Sequence, residues 1–267
     1  MVKNGNFNWN NWGLTATFFS FLADYGYEKM KKIEELVKNV KQYKDIIIQI
    51  DFDSKKNTVS YVTVKGKPRV LKWYVPGLKS NMKREYDILK NASKELNVPN
   101  VYEMDEENNV LVLSYIIGEN LCDLINDEKT SKSEKQTLIV LLSDWFSKFH
   151  QHYKKDNEFR IRGDSTLRNF IFTDKIWGVD FEESRVGKPV EDIACMCASI
   201  LSTDPMFTSE KFELCEKFID SYGKNVPWRL NDIADEISYA LLERIQWRPE
   251  QEEILRKYSK KIREKGL

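Results

Sequence analysis

Glycine is thin in this chain, eleven among 267 residues, and none lies between Gly26 and Gly66. That gap excludes a glycine-rich phosphate cradle near the N-terminus, and no Gly-x4-Gly-Lys-Ser/Thr run exists elsewhere to replace it. Histidine is scarcer still, with His150 and His152 only, and the four cysteines (Cys122, Cys195, Cys197 and Cys215) match no zinc-ligand spacing. Cys195 and Cys197 fall in an apolar stretch where they read as small buried hydrophobes, and all four as reduced thiols of a cytoplasmic protein. Charge of neither sign prevails: Lys plus Arg and Asp plus Glu are both 42. Nothing in that balance draws the chain to nucleic acid or to an anionic membrane. Long hydrophobic runs are missing too. The patch Phe18 to Ala23 is far short of the roughly twenty residues needed to span a bilayer, and Asn and Trp ahead of it make a poor signal peptide.

What is present suits an ordinary globular chain. At 41% apolar, 267 residues can bury one large core or two lobes sharing a cleft. Two β-prone runs, Ile46 to Phe52 and Thr58 to Val64, flank a polar tip at Asp53 to Asn57 and read as a hairpin. An almost continuous apolar run from Asn109 to Ile117 reads as a buried strand ending at Gly118. Ser133-x-x-Gln136 reads as a capping box opening a helix whose Leu138, Leu141, Leu142, Trp145, Phe146 and Phe149 make a wide apolar stripe. The two histidines fall at the end of that helix, where cations are favoured by the dipole. Further helices are expected over Ser209 to Tyr222, Leu230 to Gln246 and Pro249 to Arg263. Near the N-terminus, Met30, Ile33, Val37 and Val40 share one helical face.

The chemistry is concentrated between Ile161 and Ser184. There the chain reads Ile-Arg-Gly-Asp-Ser-Thr-Leu-Arg-Asn-Phe-Ile-Phe and, a few residues on, Gly-Val-Asp-Phe-Glu-Glu-Ser. Asp164, Asn169 and Asp180 are oxygen donors of the kind hard cations require, and phosphoryl transfer uses that set: a carboxylate to accept a hydroxyl proton and two ligands for Mg²⁺. Asp and Asn are also common in turns for local reasons, so order along the chain carries the weight. Upstream, Lys72 sits in the β-prone run Val70 to Tyr74. Glu85 follows in a helical segment with Met82, Tyr86 and Leu89 on one face. Each alone would read as an ordinary surface charge; together with the downstream trio they form a Lys, Glu, Asp, Asn, Asp series in the order phosphoryl transfer needs.

Asp164-x4-Asn169 has the catalytic-loop spacing of protein kinases, and Asp180-Phe181-Glu182 stands where that signature has Asp-Phe-Gly. Over roughly residues 45 to 245 the chain resembles the protein-kinase-like superfamily, and Arg-Gly-Asp with Asp-Phe-Glu looks closer to its aminoglycoside phosphotransferase and choline kinase branch. The resemblance implies an α+β, bilobal fold: an N-terminal helical extension (1–44), a small antiparallel-sheet lobe (45–117) and a larger helical lobe (118–267). It implies ATP and Mg²⁺ as cofactors, with Lys72 and Glu85 positioning the phosphates and the linker of Ser114, Tyr115 and Ile116 meeting adenine. Asp164 would be the base, Asn169 and Asp180 the metal ligands, and Arg168 a cation near the transferring phosphoryl group. Arg162, at the usual His position, is expected to pack or hydrogen-bond. Asp192 is either a brace for the catalytic loop or a plain helix N-terminal carboxylate. Ser54, Lys55 or an amide at the hairpin tip would touch phosphate.

Only eleven residues separate Asp180 from Asp192, and no Ala-Pro-Glu follows, so a peptide-docking segment does not fit. The expected partner is a small-molecule hydroxyl acceptor, with neither nucleic acid nor membrane. An atypical RIO-like protein kinase acting on a protein substrate and a nucleotide-binding pseudokinase module are the alternatives. Asp232, Asp235, Glu236 and Glu243, with Trp228 and Trp247, would suit a cationic acceptor, although charge on the outside of terminal helices is the commoner explanation and no substrate residue is assigned from them.

Overall fold

The computed structural model describes residues 34–52, 56–92 and 94–267. The apolar patch at Phe18 to Ala23, Met30 and Ile33, and the hairpin-tip residues Ser54 and Lys55 lie outside them. Residues 34–39 are helical (α1) and place Leu36 beside Tyr43, Ile46, Val62, Leu71, Trp73, Val110 and Val112 in a small core. That core covers one face of a five-stranded antiparallel sheet made of β1 (Ile46–Phe52), β2 (Thr58–Val64), β3 (Lys67–Trp73), β4 (Val101–Asp105) and β5 (Val110–Ser114). The spatial order is β1-β2-β3-β5-β4. Lys72 in β3 lies opposite Val59 of β2 and Leu111 of β5, which fixes it in the middle of the sheet.

Pro76-Gly77 breaks the chain after β3, and α2 (Lys79–Asn91) follows. Its inward face is Met82, Glu85, Ile88 and Leu89, at the i, i+3, i+6, i+7 spacing of a helix stripe. Glu85 therefore occupies a slot that periodicity assigns to an apolar residue, while the expected Tyr86 is half-buried.

After β5 a short linker and β6 (Glu119–Asn120) lead into a helical lobe of α3 (Leu121–Asn126), α4 (Lys132–His152), α5 (Pro189–Leu201), α6 (Ser209–Asn225), α7 (Ile233–Glu243) and α8 (Glu252–Lys265). The capping box of α4 is formed by Ser131 and Glu134, not Ser133 and Gln136: the Ser131 hydroxyl accepts from the Glu134 N–H, and the Ser131 N–H donates to the Glu134 carboxylate at 2.8 Å. Both pairs satisfy the same sequence pattern, and the Asp127 turn just upstream starts the helix two residues early. α4, α5, α6 and α7 pack on one another around Phe146, Phe149, Ile193, Met196, Phe218 and Leu241.

Four short strands carry the polar loops. β7 (Phe159–Ile161) pairs with β10 (Arg185–Gly187), and β8 (Phe170–Phe172) with β9 (Ile176–Gly178). Residues 162–169 thus link one pair to the other, and residues 179–184 return.

Candidate active site

The β8–β9 hairpin is extended at its open end by a hydrogen bond from the Val179 N–H to the Asn169 carbonyl at 3.0 Å. Asn169 supplies the acceptor of that bond and Asp180 follows its donor, so two residues eleven positions apart in the chain meet at one hairpin mouth. Asn169 Nδ2 donates to the Asp164 carbonyl (3.0 Å) and carboxylate (3.1 Å), which leaves Oδ1 as the amide atom available to a cation. Asp180 has a left-handed backbone, φ +63°, uncommon for a non-glycine residue and a mark of local constraint.

Lys72 gathers the carboxylates. Its Nζ lies 2.7 Å from Glu85 Oε2, 2.6 Å from Asp180 Oδ1 and 3.2 Å from Glu182 Oε2, with the lysine side chain only 6% exposed. The Tyr74 hydroxyl also donates to Glu85, and Glu85 Oε1 accepts the Phe181 N–H at 3.1 Å. Burial works against the charge on Lys72, but Asp180 and Glu85 outweigh it and hold the ammonium well above the usual lysine range. Burial also opposes ionisation of Asp180, and Lys72 overcomes it, leaving that carboxyl below the usual range. Glu182 goes the other way: burial, with Asp180 and Glu85 alongside, raises it despite Lys72.

Glu182 and its neighbour tie the β1–β2 hairpin to the rest. Asn57 Nδ2 donates to the Glu182 carboxylate, Lys56 pairs with Glu183, and Arg84 donates to the Glu182 carbonyl at 2.6 Å. These contacts hold a glycine-free hairpin over the cleft by side chains rather than by backbone amides.

Asp192, at the start of α5, braces the 162–169 loop. One oxygen accepts from the Arg162 N–H (2.7 Å) and lies 3.0 Å from His150 Nε2. The other accepts from the Gly163 N–H (3.1 Å) and the Ser165 hydroxyl (2.8 Å). Burial opposes its ionisation, yet the hydrogen bonds, His150 first, keep its carboxyl below the usual range. His150 is fully buried and its Nδ1 meets the Tyr222 hydroxyl at 2.8 Å; only His152 sits at the exposed helix end as expected. Its Cβ sits on the α4 stripe beside Phe146, a signal legible in the spacing but overridden by the dipole argument. Gly163 has φ +82°, and a Cβ there would lie 2.3 Å from the Glu183 carbonyl, so glycine is required.

Arg162 is wholly buried. Its guanidinium carbon lies 4.6 Å and 4.5 Å from the ring centres of Phe170 and Phe181, and NH2 donates to the Val179 carbonyl at 2.7 Å. It packs and hydrogen-bonds beneath Asp180.

A cavity of about 320 Å³ opens beside this cluster. Lys72, Glu85, Ser114, Tyr115, Ile116, Arg168, Asn169 and Asp180 line it, with Val59, Val70, Leu113 and Ile171 supplying apolar walls. Asp164 is tied to that wall through Asn169. The Ser114 amide and hydroxyl are committed to Asn100, at 2.9 Å each, so the linker's contribution of backbone polar groups falls to Tyr115 and Ile116. Glu182, Asn57, Tyr74 and Arg84 were not singled out by sequence reading; the acid after Asp180-Phe181 was the available cue for Glu182.

The acids proposed for a cationic acceptor scatter. Asp232 and Glu236 line a separate cavity with Trp228 at the β7–β10 ribbon, Asp235 pairs with Arg263 at 3.2 Å, and Glu243 is exposed on α7.

A five-stranded antiparallel lobe with one inward helix, joined through a linker to a helical lobe bearing two polar loops, is the bilobal protein-kinase-like fold. It is shared with aminoglycoside phosphotransferases and a choline kinase. Aminoglycoside phosphotransferase APH(4)-Ia is 10% identical with a TM-score of 0.62, covering 89% of this chain and 99% of that one. The ADP-bound APH(2'')-Ib is 17% identical with a TM-score of 0.56, covering 85% and 90%. Choline kinase LicA from Streptococcus pneumoniae is 15% identical with a TM-score of 0.56, covering 87% and 98%. No family model matches the chain, and no curated protein matches its sequence.

Proposed function

We propose that the protein is an ATP- and Mg²⁺-dependent phosphotransferase that moves the γ-phosphoryl group to a hydroxyl of a small molecule. The observation that carries this reading is the union of Lys72, Glu85 and Asp180 in one buried ion cluster, beside a cavity whose other wall holds Asn169 and, through it, Asp164. Residues 45–117 serve as the nucleotide-positioning lobe and 118–267 as the lobe bearing the base and the acceptor pocket.

Lys72, oriented by Glu85, holds the α- and β-phosphates. The backbone of Tyr115 and Ile116 meets the adenine edge, and the apolar walls take its faces. Asn169 Oδ1 and the Asp180 carboxylate are a hard-oxygen donor pair of the kind that would hold Mg²⁺. The ion, when bound, neutralises charge on the β- and γ-phosphates. Asp164, steered by the Asn169 amide and carried on a loop braced by Asp192, accepts the proton of the attacking hydroxyl. Arg168, on the cavity wall, stabilises charge on the transferring oxygens. The ADP-bound neighbour and the short distance between Asp180 and Asp192 support a nucleotide and a small acceptor.

ADP release from Mg-ATP is measured against panels of hydroxyl compounds (sugars, aminoglycosides, choline-like amines), a generic protein and the enzyme alone. Acceptor-dependent release is expected, lowered about 10²- to 10⁴-fold by Asp164→Asn. Label appearing on protein instead would move the assignment to a protein kinase, and nucleotide binding without turnover would move it to a binding module.

A further inference from the structure

Three arginines are held along one face of α5, Arg168 through its neighbour Leu167, and they point to the charge of the acceptor. Cys195, Ser199 and Ser202 stand at i, i+4 and i+7 on α5 and its C-terminal residue, and therefore share one face. Each is a docking point. The Cys195 carbonyl accepts from Arg244 at 3.0 Å, the Ser199 hydroxyl accepts the N–H of Leu167, the residue before Arg168, at 3.0 Å, and the Ser202 carbonyl accepts from Arg248 at 2.7 Å. The row follows Asp192 on the same helix, whose carboxylate accepts the hydroxyl of Ser165, one residue after Asp164, at 2.8 Å.

Among the described residues none of Arg168, Arg244 and Arg248 forms an ion pair with a carboxylate, although the protein holds as many acids as bases. Arg244 Nε is buried with no hydrogen-bond partner. Arg248 is half-buried, and burial, then Arg244 and Arg168, hold it below the usual arginine range; Asp204 is the acid that acts against this. Guanidinium groups gathered without counter-charge repel one another, and their planar forks match carboxylate and phosphate oxygens. The acids that would have recognised a cation lie elsewhere, on the outer side of α7 and in the cavity at the β7–β10 ribbon.

We infer that Arg244 and Arg248, with Arg168, form an oxyanion site on the acceptor side of the cleft, so that the hydroxyl compound phosphorylated here carries a carboxylate or phosphate group. This rests on the phosphotransferase reading for the word acceptor; the anion site itself does not.

The test is equilibrium dialysis of the full chain with radiolabelled sulfate, with and without saturating Mg-ADP. One sulfate site is expected to persist when Mg-ADP is bound, and to weaken about tenfold or more in Arg244→Gln and in Arg248→Gln, as loss of a charge-assisted hydrogen bond implies. Far-ultraviolet circular dichroism and Mg-ADP affinity on the same samples report folding. No sulfate binding, displacement of sulfate by Mg-ADP, or equal affinity in both folded variants would overturn the site. In the acceptor arm, glycerol 3-phosphate and glycerate are compared with glycerol and choline, the first two separating phosphate from carboxylate. Phosphorylation of an anionic compound, with KM raised about tenfold by Arg248→Gln, is the expected result. Turnover of choline alone would overturn it. Arginine-dependent sulfate binding without transfer to any hydroxyl would leave the oxyanion site standing and sink the phosphotransferase reading.

Discussion

Lys72 and Asp192 are two buried charges solved in opposite ways. Lys72 is one cation among three carboxylates, all on side chains, two from the 180–182 segment and one from α2. Asp192 is one anion among four donors, two of them backbone N–H groups of a single loop. Side-chain partners can be exchanged for others by rotation, whereas backbone donors fix the chain that carries them. Under the proposed function, the first arrangement would trade a carboxylate for a phosphate when a nucleotide arrives. The second holds the 162–169 loop in one shape whether the cleft is filled or empty.

The largest expected effect comes from removing the fixed charge. Asp192→Ala strands the Arg162 and Gly163 amides and the His150 ring in a dry interior, and is expected to cost about 3–5 kcal/mol in urea unfolding. Asp192→Asn should cost less, since it keeps one acceptor. A loss under about 1 kcal/mol for the alanine variant would mean water replaces the carboxylate and the contrast drawn above is false.

Removing the exchangeable charge should injure activity more than structure. Lys72→Met is expected to lower phosphoryl transfer about 10²- to 10³-fold, and its stability should depend on pH in a definite direction. Asp180 has a folded pKa below its unfolded value, so it contributes stability above the ordinary carboxylate range that is lost as pH falls through the folded pKa. That contribution comes from Lys72. The deficit of the variant should therefore be greatest at neutral pH and shrink as the pH is taken below about 4. Thermal melts of both proteins from pH 7 to pH 3 check this, and a constant deficit across the range would show that packing, not charge, sets it.

Gly163→Ala tests the loop shape without touching a charge. A left-handed backbone and a Cβ against the Glu183 carbonyl should cost about 1–3 kcal/mol and displace the neighbouring Asp164. Turnover should fall while Mg-ADP affinity holds, which single-turnover kinetics with parallel binding measurements would reveal. The smallest effect lies far from both charges: Ser131→Ala removes the α4 cap and should cost about 1 kcal/mol with no change in transfer.

Much of the candidate site's geometry was legible because the residue types that phosphoryl transfer would require stand in the expected order along the chain. Lys72 and Glu85 lie thirteen residues apart and meet because a strand, a Pro-Gly break and a short helix leave them little other choice. Both hairpin strands matched their expected spans, since β-prone runs and a polar tip define them locally. What escaped depends on partners distant in the chain. The burial of His150 is decided by Asp192 and Tyr222, 42 and 72 residues away, and the pairing of Asn57 with Glu182 by the approach of a hairpin 125 residues upstream. Arg168 was singled out beside Asn169, but the two arginines grouped with it were invisible. Only the face of α5 reveals that Arg244 and Arg248 share a rail with the loop bearing Arg168.

That rail makes α5 a lever. The helix carries the anchor of the base at its first turn and the arginine supports along the two turns that follow, while its back, at Met196 and Cys197, is set into the deepest packing of the helical lobe. Displacing one rigid rod would shift the proposed base and anion contacts together and leave the proposed sheet-borne nucleotide contacts alone. Under the proposed function, conservative repacking behind α5, remote from the candidate site, would uncouple nucleotide affinity from turnover.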